Sequence, residues 1–411
     1  MEKNIKSKGL VVLGAATGIN FVSGVLYTWS VISKALITQL NWTSKEASLP
    51  YTIATISFVI AMVIFGRVQD QKGPKLTGTI GGVLMGLGFI LSGFTTNPNM
   101  MILTVGIIAG VGIGTLNAST TPPTVKWFPP EKKGLITGIV VAGVGLSSIL
   151  YSPLANYIMN IKCVSITFIY IGMIGLIVSV VLAQFLKNPP EGYKPISKRN
   201  PRENNNISFS NRDYEWKEMI KTTNFYKLWL MLGLSSSAGL MITGHITNIA
   251  KVQINWESGF LLVILLALFN TFGRLLGGSM SDKIGRINTM RIIFILQGIN
   301  MFLFSKYMNI GLMSVGVAIA GLCYGAGFAI FPSATSDLYG TKNFGVNYGL
   351  IYTGWGLGGT IGPMTGAAIF DSTQSYNKAY IVAFILLILS VLITYTIKSP
   401  RESMGIEEKL N

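Results

Sequence analysis

Hydrophobic runs long enough to cross a membrane recur along the whole chain, separated by short polar segments. A bilayer core of about 30 Å needs roughly 20 apolar residues in an α-helix, whereas barrel strands alternate over about 10 residues. The runs have helical length and show no such alternation, so they predict an all-α integral membrane protein. The twelve predicted transmembrane helices are residues 9–34, 46–68, 76–96, 99–126, 133–159, 164–186, 224–250, 258–281, 288–306, 309–336, 344–371 and 377–397.

One long polar stretch, residues 188–223, divides these helices into two sets of six. It holds Asn-Pro-Pro-Glu-Gly at 188–192, three asparagines at 204–206 and charges of both signs, a composition typical of a flexible linker. Its end, residues 214–221, is a candidate for a short interfacial helix. The predicted domains are an N-terminal six-helix bundle over 1–187, a cytoplasmic linker over 188–223 and a C-terminal bundle over 224–411.

Composition supports the membrane interpretation and excludes several other classes. Hydrophobic residues make up 50% of the 411 residues and charged residues only 12%, about half the roughly 25% of a soluble domain. These values argue against a soluble enzyme, a disordered protein and a nucleic-acid binder. The chain has one histidine and two cysteines, with no metal-ligand pattern and no nucleotide-binding loop. We therefore expect no enzyme activity, no cofactor and no metal.

The net charge of +16 is explained by the distribution of basic residues. With the N-terminus inside, 25 of the 32 lysines and arginines fall in the tails and loops that face the cytoplasm. This positive-inside bias predicts a multi-pass protein of the cell membrane with both termini cytoplasmic and the lipid bilayer, not nucleic acid, as its partner. The predicted outer segments hold Lys34, Lys45, Lys162, Lys251, Lys306 and Lys378, and Arg274 falls inside a helix.

The two halves of the chain repeat each other. The loop after the second predicted helix and the loop after the eighth share a pattern of glycines, an aspartate and a final cation. The residues of the two copies are Gly66, Asp70, Gly73 and Lys75, and Gly278, Asp282, Gly285 and Arg286. The glycines and aspartates of the copies are 212 positions apart, and five later glycine pairs are 211 apart. Parallel six-helix repeats are a transporter architecture, with the substrate site near the midplane.

The repeated loop also indicates a gate. An acid at a helix end can pair with a loop cation or cap a neighbouring helix N-terminus, and glycines permit the tight turn. We expect these eight residues to hold one face shut and to release it during transport. The alternative is a plain charged turn that only sets topology.

The pattern G-x-x-x-D-x-x-G-x-K/R in residues 66–75 resembles the loop of the major facilitator superfamily. Four further segments carry a closer resemblance. They are Ser-Gly-Val-Leu-Tyr-Thr-Trp at 23–29, Lys-Trp-Phe-Pro with Lys-Gly at 126–134, Phe-Asn with Arg at 269–274, and Phe-Pro-Ser through Asn-Tyr-Gly at 331–349. Together they are similar to the oxalate/formate antiporter family, relatives of the monocarboxylate transporters. The resemblance implies two pseudo-symmetric six-helix bundles that carry small organic anions by alternating access.

Arg274 is the most informative single residue. It precedes Asp282 by eight positions, which places it about 12 Å deeper along the helix. A charge at that depth costs at least roughly 2.5–3.5 kcal/mol, so it is expected to face a cavity or a partner. The position 212 residues earlier is Met62, so the repeat is broken here.

No Asp or Glu occupies the middle of a predicted helix, which makes a substrate carboxylate a candidate counter-ion for Arg274 through a bidentate pair. The family resemblance implies the same role. The alternative is an arginine that snorkels to the cytoplasmic surface.

Further candidate substrate residues come from the seventh helix and from the resemblance. His245, the single histidine, is suited to donate to a carboxylate or carry a proton, or else to hydrogen-bond between helices. The family's first-helix motif and aromatic-lined cavity imply roles for Tyr27, Trp29, Tyr324, Phe328, Tyr352 and Trp355. Asn117, which aligns with Phe328 in the repeat, adds an amide donor. For each aromatic residue, helix packing is the alternative.

The sequence departs from the oxalate carrier of this family in one respect that bears on substrate charge. There a lysine of the eleventh helix supplies a second positive charge, and the equivalent position here is Trp355. The tyrosine expected in the tenth helix is Phe328. One fixed charge suits a monoanion better than a dianion.

We therefore expect a monomeric secondary transporter of small monocarboxylates such as lactate, pyruvate, acetate or formate, working as an exchanger with a counter-anion or as a proton symporter. The alternative is an oxalate/formate-type antiporter of a dicarboxylate against a monocarboxylate.

Overall fold

The computed structural model describes residues 2–190, 192–193, 195 and 212–397, with side chains from residue 7 onward. Twelve long helices follow one another in this part of the chain, which confirms the predicted all-α membrane fold. They are α1 Ser7–Leu40, α2 Ser44–Lys72, α3 Pro74–Ser92, α4 Pro98–Val125, α5 Lys133–Ile161, α6 Val164–Ala183, α7 Thr223–Ile254, α8 Phe260–Ile284, α9 Arg286–Phe304, α10 Ile310–Tyr339, α11 Phe344–Thr373 and α12 Asn377–Thr394.

Eleven of these helices, all except α11, are long and apolar enough to cross a membrane by length and composition. Helix α11 has 30 residues, but glycines, threonines and other polar residues interrupt its apolar sequence. Two helices contain non-α segments. Residues Gly24–Thr28 of α1 form a 3-10 turn, and residues Ile102–Ala109 of α4 form a π-helix.

Several helices begin or end away from the predicted boundaries because capping, not hydropathy, sets the ends. Helices α1 and α7 run past residues 34 and 250 and stop where Asn41 and Asn255 adopt left-handed conformations, with φ of 55° and 50°. Helix α2 begins at Ser44 because Thr43 and Glu46 form a capping box. The Thr43 hydroxyl accepts from the Glu46 N–H at 3.2 Å, and the Glu46 carboxylate accepts from the Thr43 N–H at 2.8 Å.

The chain forms two compact units. Unit 1 comprises Met1–Pro129, Ile139–Pro195 and Asn343–Leu350, and unit 2 comprises Pro130–Gly138, Ile196–Lys342 and Ile351–Asn411. Unit 1 therefore includes the first turns of α11, and unit 2 includes the first turns of α5.

The predicted linker is described only in part. Its residues 191, 194 and 196–211, including the asparagines at 204–206, lie outside the described residues. Near its end the chain forms the short helix Trp216–Met219, inside the candidate segment 214–221. The predicted domain boundaries at 187 and 224 stay a prediction.

Glycines allow the helices of unit 1 to pack with their backbones in contact. A Cβ atom built on Gly114 of α4 would overlap the Phe58 carbonyl of α2, and one built on Gly112 would overlap the Met85 backbone of α3. Small residues at the contacts are typical of helix packing in membranes, where association depends on close van der Waals contact.

In unit 2, glycines likewise allow the backbones of α8 and α10 to pack in contact. A Cβ on Gly273 would overlap the Leu322 carbonyl, and one on Gly325 would overlap the Asn270 carbonyl. This contact fixes the face of α8 that carries Arg274 against α10.

Candidate substrate site and charged turns

Arg274 lies at the centre of a buried cluster. Only 1% of its surface is exposed. Its Nε donates to Asn270 Oδ1 at 2.9 Å, one helical turn earlier. Its guanidinium carbon lies 4.6 Å from the centroid of the Phe328 ring, a cation–π contact between α8 and α10. Sequence reasoning gave Asn270 no role, although its i, i+4 spacing from Arg274 was a usable signal.

Four of the predicted aromatic residues join this cluster. The Phe328 ring centroid is 5.1 Å from that of Tyr324 and 6.3 Å from that of Trp355. Trp355 Nε1 donates to the Tyr324 hydroxyl at 2.9 Å, and the Tyr352 and Trp355 rings are 5.1 Å apart. Unit 2 thus brings Arg274 together with aromatic rings of α10 and α11.

His245 lies in a separate hydrogen-bonded group between α7 and α11. Its Nε2 is 2.9 Å from the Pro363 carbonyl, which can only accept, so Nε2 carries the proton. Its Nδ1 then accepts from the Tyr376 hydroxyl at 3.3 Å, and that oxygen accepts from Asn248 at 2.8 Å. Burial raises the pKa of the Tyr376 hydroxyl, which keeps it protonated. The geometry is that of a histidine hydrogen-bonded between helices.

The remaining candidates, Tyr27, Trp29 and Asn117, belong to unit 1. Trp29 is buried and its Nε1 donates to the Ala47 carbonyl at 2.9 Å, which ties α1 to α2. Asn117 Nδ2 donates to the carbonyl of Ile113 at 3.4 Å within its own helix. Tyr27 lies in the 3-10 turn of α1 with 41% of its surface exposed.

The first charged turn, after α2, holds the start of α11. The two Asp70 carboxylate oxygens accept from the N–H groups of Gly345 and Val346, each at 3.0 Å. A Cβ on Gly66 would lie 2.5 Å from the Gly345 carbonyl oxygen, so the approach needs glycine. Gly73 ends α2 with φ of 89°. The carboxylate satisfies N–H groups that have no intrahelical partner and lies at the positive end of the α11 dipole.

The second charged turn, after α8, holds the start of α5 in the same way. Asp282 accepts from the N–H groups of Gly134 and Leu135, each at 2.8 Å. Gly278 packs directly on Gly134, and Gly285 ends α8 with φ of 92°. The two copies of the loop therefore make the same backbone contacts, each within its own unit.

The second turn also carries a buried network of four charges. Arg286 donates to Asp282 at 2.6 Å and to Asp337 at 2.9 Å, and Lys133 donates to Asp337 at 3.0 Å. All four side chains are at most 10% exposed. Sequence reasoning missed Lys133 and Asp337, although both lie in the segments that carry the family resemblance.

The first turn has a different charge arrangement. The positions that correspond to Arg286 and Asp337 in the repeat are Pro74 and Lys126, and Lys75 is exposed to solvent. Lys126 is a cation whose charge acts on Asp70. Across the described residues, no group of three or more His, Cys, Asp or Glu side chains could hold a metal ion.

The fold and these contacts define a polytopic helical membrane protein built from a duplicated six-helix unit. The model of the Major Facilitator Superfamily matches residues 12–299 and 242–409, so the chain belongs to this superfamily and is a multi-pass membrane transporter, not an enzyme. The fold is similar to that of the transporter FucP in the outward conformation, with a TM-score of 0.71 at 12% identity over 93% of this chain and 98% of that one.

Curated relatives include members of the families that the sequence resembles. The chain is 28% identical over 342 residues to the uncharacterized MFS-type transporter YhjX of Escherichia coli, covering 82% of each chain. It is 26% identical over 369 residues to the oxalate:formate antiporter of Oxalobacter formigenes, covering 89% of this chain and 85% of the relative. It is 23% identical over 399 residues to monocarboxylate transporter 13 of Rattus norvegicus, covering 94% and 88%. The predicted membership of the superfamily is confirmed, and its curated relatives include proteins of both kinds that the sequence resembles.

The buried network makes a prediction about stability. Asp337→Asn leaves Lys133 and Arg286 buried without their shared carboxylate, and breaking a buried pair costs roughly 3–5 kcal/mol. We expect a clear fall in the melting temperature of the purified protein. The control is Glu218→Gln, which breaks the exposed pair with Arg212 and should cost at most about 1 kcal/mol. Equal, small shifts in both variants would contradict the role of the network.

Proposed function

We propose that this protein is a secondary transporter of small monocarboxylate anions, in the class of lactate, pyruvate, acetate and formate. The observation that carries the proposal is the buried Arg274, held by Asn270 and faced by Phe328. Asn270 takes the Nε hydrogen, so the guanidinium plane is fixed in orientation. A carboxylate then binds the planar guanidinium in the bidentate geometry that arginine favours.

The preference for a monoanion follows from the residues around the positive charge of Arg274. Trp355 and Phe328 stand where the oxalate carrier of the family resemblance has a lysine and a tyrosine. A second carboxylate would enter an aromatic, low-dielectric site without a cation of its own, which costs several kcal/mol even after relaxation. The aromatic rings instead suit the short apolar part of a monocarboxylate.

A second candidate function is exchange of oxalate against formate. It is favoured by the 26% identity to the oxalate:formate antiporter, which extends over most of both chains.

Transport coupled to a proton and exchange against an anion both fit the proposal. His245 is the candidate proton carrier because protonation of Nδ1 would reverse its hydrogen bond with Tyr376.

We also propose that Asp70 and Asp282 act as latches of alternating access. Each aspartate accepts hydrogen bonds from the first N–H groups of a helix in the other half of the sequence. Both hydrogen bonds of one carboxylate can break together. From the positive-inside bias, both latches lie on the cytoplasmic side of a cell membrane, with both termini inside. Tyr27 and Asn117 stay candidate substrate residues, whereas the hydrogen bond of Trp29 supports a packing role.

Arg274→Lys tests the anion site because it keeps the charge and loses the planar fork. Uptake of labelled monocarboxylate into proteoliposomes should fall at least about tenfold, equivalent to about 1.4 kcal/mol. Arg291→Lys, at an arginine that stacks on Tyr395, is the matched control and should leave uptake near the wild-type rate. Normal uptake by a well-inserted Arg274→Ala variant would refute the assignment.

Competition binding to the purified wild-type protein tests substrate valence. Lactate, acetate and formate should each displace a bound labelled monocarboxylate, and oxalate should bind about a hundredfold or more weakly, equivalent to about 2.8 kcal/mol. Trp355→Lys supplies a second positive charge, so it should reduce the difference in affinity between the monocarboxylates and oxalate. If oxalate binds the wild type as tightly as the best monoanion, the second candidate function takes the place of the first.

Asp70→Asn and Asp282→Asn test the latches. Each variant should slow turnover more than it weakens equilibrium binding of the substrate, because a latch changes conformational populations and not the site. Asp371→Asn, at an exposed aspartate near the end of α11, is the control. Parallel losses of binding and turnover, or no loss, would support the plain-turn interpretation.

A further inference from the structure

Unit 2 contains a cavity of about 20 Å³ next to Tyr324 and Phe328. Residues of α7, α9, α10 and α12 line it, and none of them is charged. The polar lining residues are Ser235, Ser236, Gln297, Cys323 and Tyr324. The cavity therefore adjoins the aromatic residues of the candidate substrate site but is not part of the Arg274 group itself.

Gln297 lines this cavity and carries a buried amide donor. The residue is 4% exposed, and its Nε2 has no hydrogen-bond partner among the described residues. Its Oε1 accepts from Asn300 Nδ2 at 3.3 Å. That Nδ2 also donates to the Gly316 carbonyl at 2.9 Å, and a carbonyl can only accept, so the orientation of Asn300 is fixed. Gln297 must then turn its oxygen toward Asn300 and its NH₂ group away from it.

An unpaired buried amide donor is costly, so its presence in α9 calls for a partner. The internal repeat shows that helix packing alone does not require an amide side chain at this position. The first-half positions that correspond to Gln297 and Asn300 are 85–86 and 88–89, where the sequence reads Met-Gly and Gly-Phe. The polar pair is thus confined to the half of the chain that also carries Arg274.

A polar column connects this pair to the end of α9. Asn300 Oδ1 accepts from the Tyr307 hydroxyl at 3.2 Å, and Tyr307 lies in the turn between α9 and α10, partly exposed. A chain of hydrogen bonds therefore runs from Tyr307 through Asn300 to Gln297.

We propose that the cavity is a binding site for one internal water molecule, which accepts from Gln297 Nε2 and donates to the hydroxyl of Ser235 or Ser236. One water needs roughly 10–15 Å³ and two to four polar partners, and the cavity supplies both. Ser235 already donates to the Met231 carbonyl at 2.7 Å, so its lone pairs are available to accept. The water links α7 to α9 beside Tyr324 and Phe328 and so supports the rings that surround Arg274.

Radiolytic footprinting tests this site on the full-length protein in lipid nanodiscs. A synchrotron pulse produces hydroxyl radicals from bound water, and mass spectrometry reads the oxidation of adjacent side chains. Cys323 lines the cavity and is 5% exposed, whereas the half-buried Cys163, between α5 and α6, is an internal reference. We expect Cys323 to be oxidised in the wild type despite its burial.

Three variants assign the water to Gln297. Gln297→Met conserves the volume and removes the donor, so oxidation of Cys323 should be lost while that of Cys163 is unchanged. Gln297→Asn keeps an amide and should retain oxidation of Cys323. Gln184→Met, at an exposed glutamine, is the matched control.

If Cys323 of the wild type is oxidised no more than the background level, the proposal is overturned. This measurement does not depend on the folding of any variant. Undiminished oxidation of Cys323 in Gln297→Met would overturn the role of Gln297.

Discussion

Two aspartates satisfy the first backbone N–H groups of two helices, and the rest of the structure near these turns depends on that interaction. The first four N–H groups of a helix have no intrahelical partner, and leaving them unpaired in a buried place costs several kcal/mol. Asp70 meets this need at the start of α11, and Asp282 meets it at the start of α5. The glycines beside both aspartates, and the positive φ at Gly73 and Gly285, follow from the close approach that such a cap requires.

The two copies of this interaction have diverged in their electrostatics. In unit 2, Arg286 and Lys133 balance Asp282 and Asp337, so that each buried charge has a partner. Removing one member of such a network costs much stability, because the remaining charges stay buried without a partner. In unit 1, Asp70 accepts hydrogen bonds from backbone N–H groups, and the charge of Lys126 acts on it. We therefore expect the first contact to open at lower cost than the second.

The second half of the chain also carries the polar groups that the repeat does not require. Arg274 has Met62 as its counterpart, and Gln297 has Met85 or Gly86. A buried charge or amide is retained in a helical bundle only where partners offset its desolvation. For Arg274, part of that offset is visible in Asn270 and Phe328. Symmetry thus describes the scaffold, and the proposed substrate site contains one of its exceptions, Arg274.

The sequence alone determined the twelve helices and the repeat, because the cost of placing apolar or charged residues in a bilayer depends on local composition. It did not determine the helix ends that capping sets, nor the partners of Asp337 and His245. The hydrogen bond between Lys133 and Asp337 joins residues 204 positions apart. Such pairs depend on which helix faces meet, and only the close backbone contacts of the folded chain decide that.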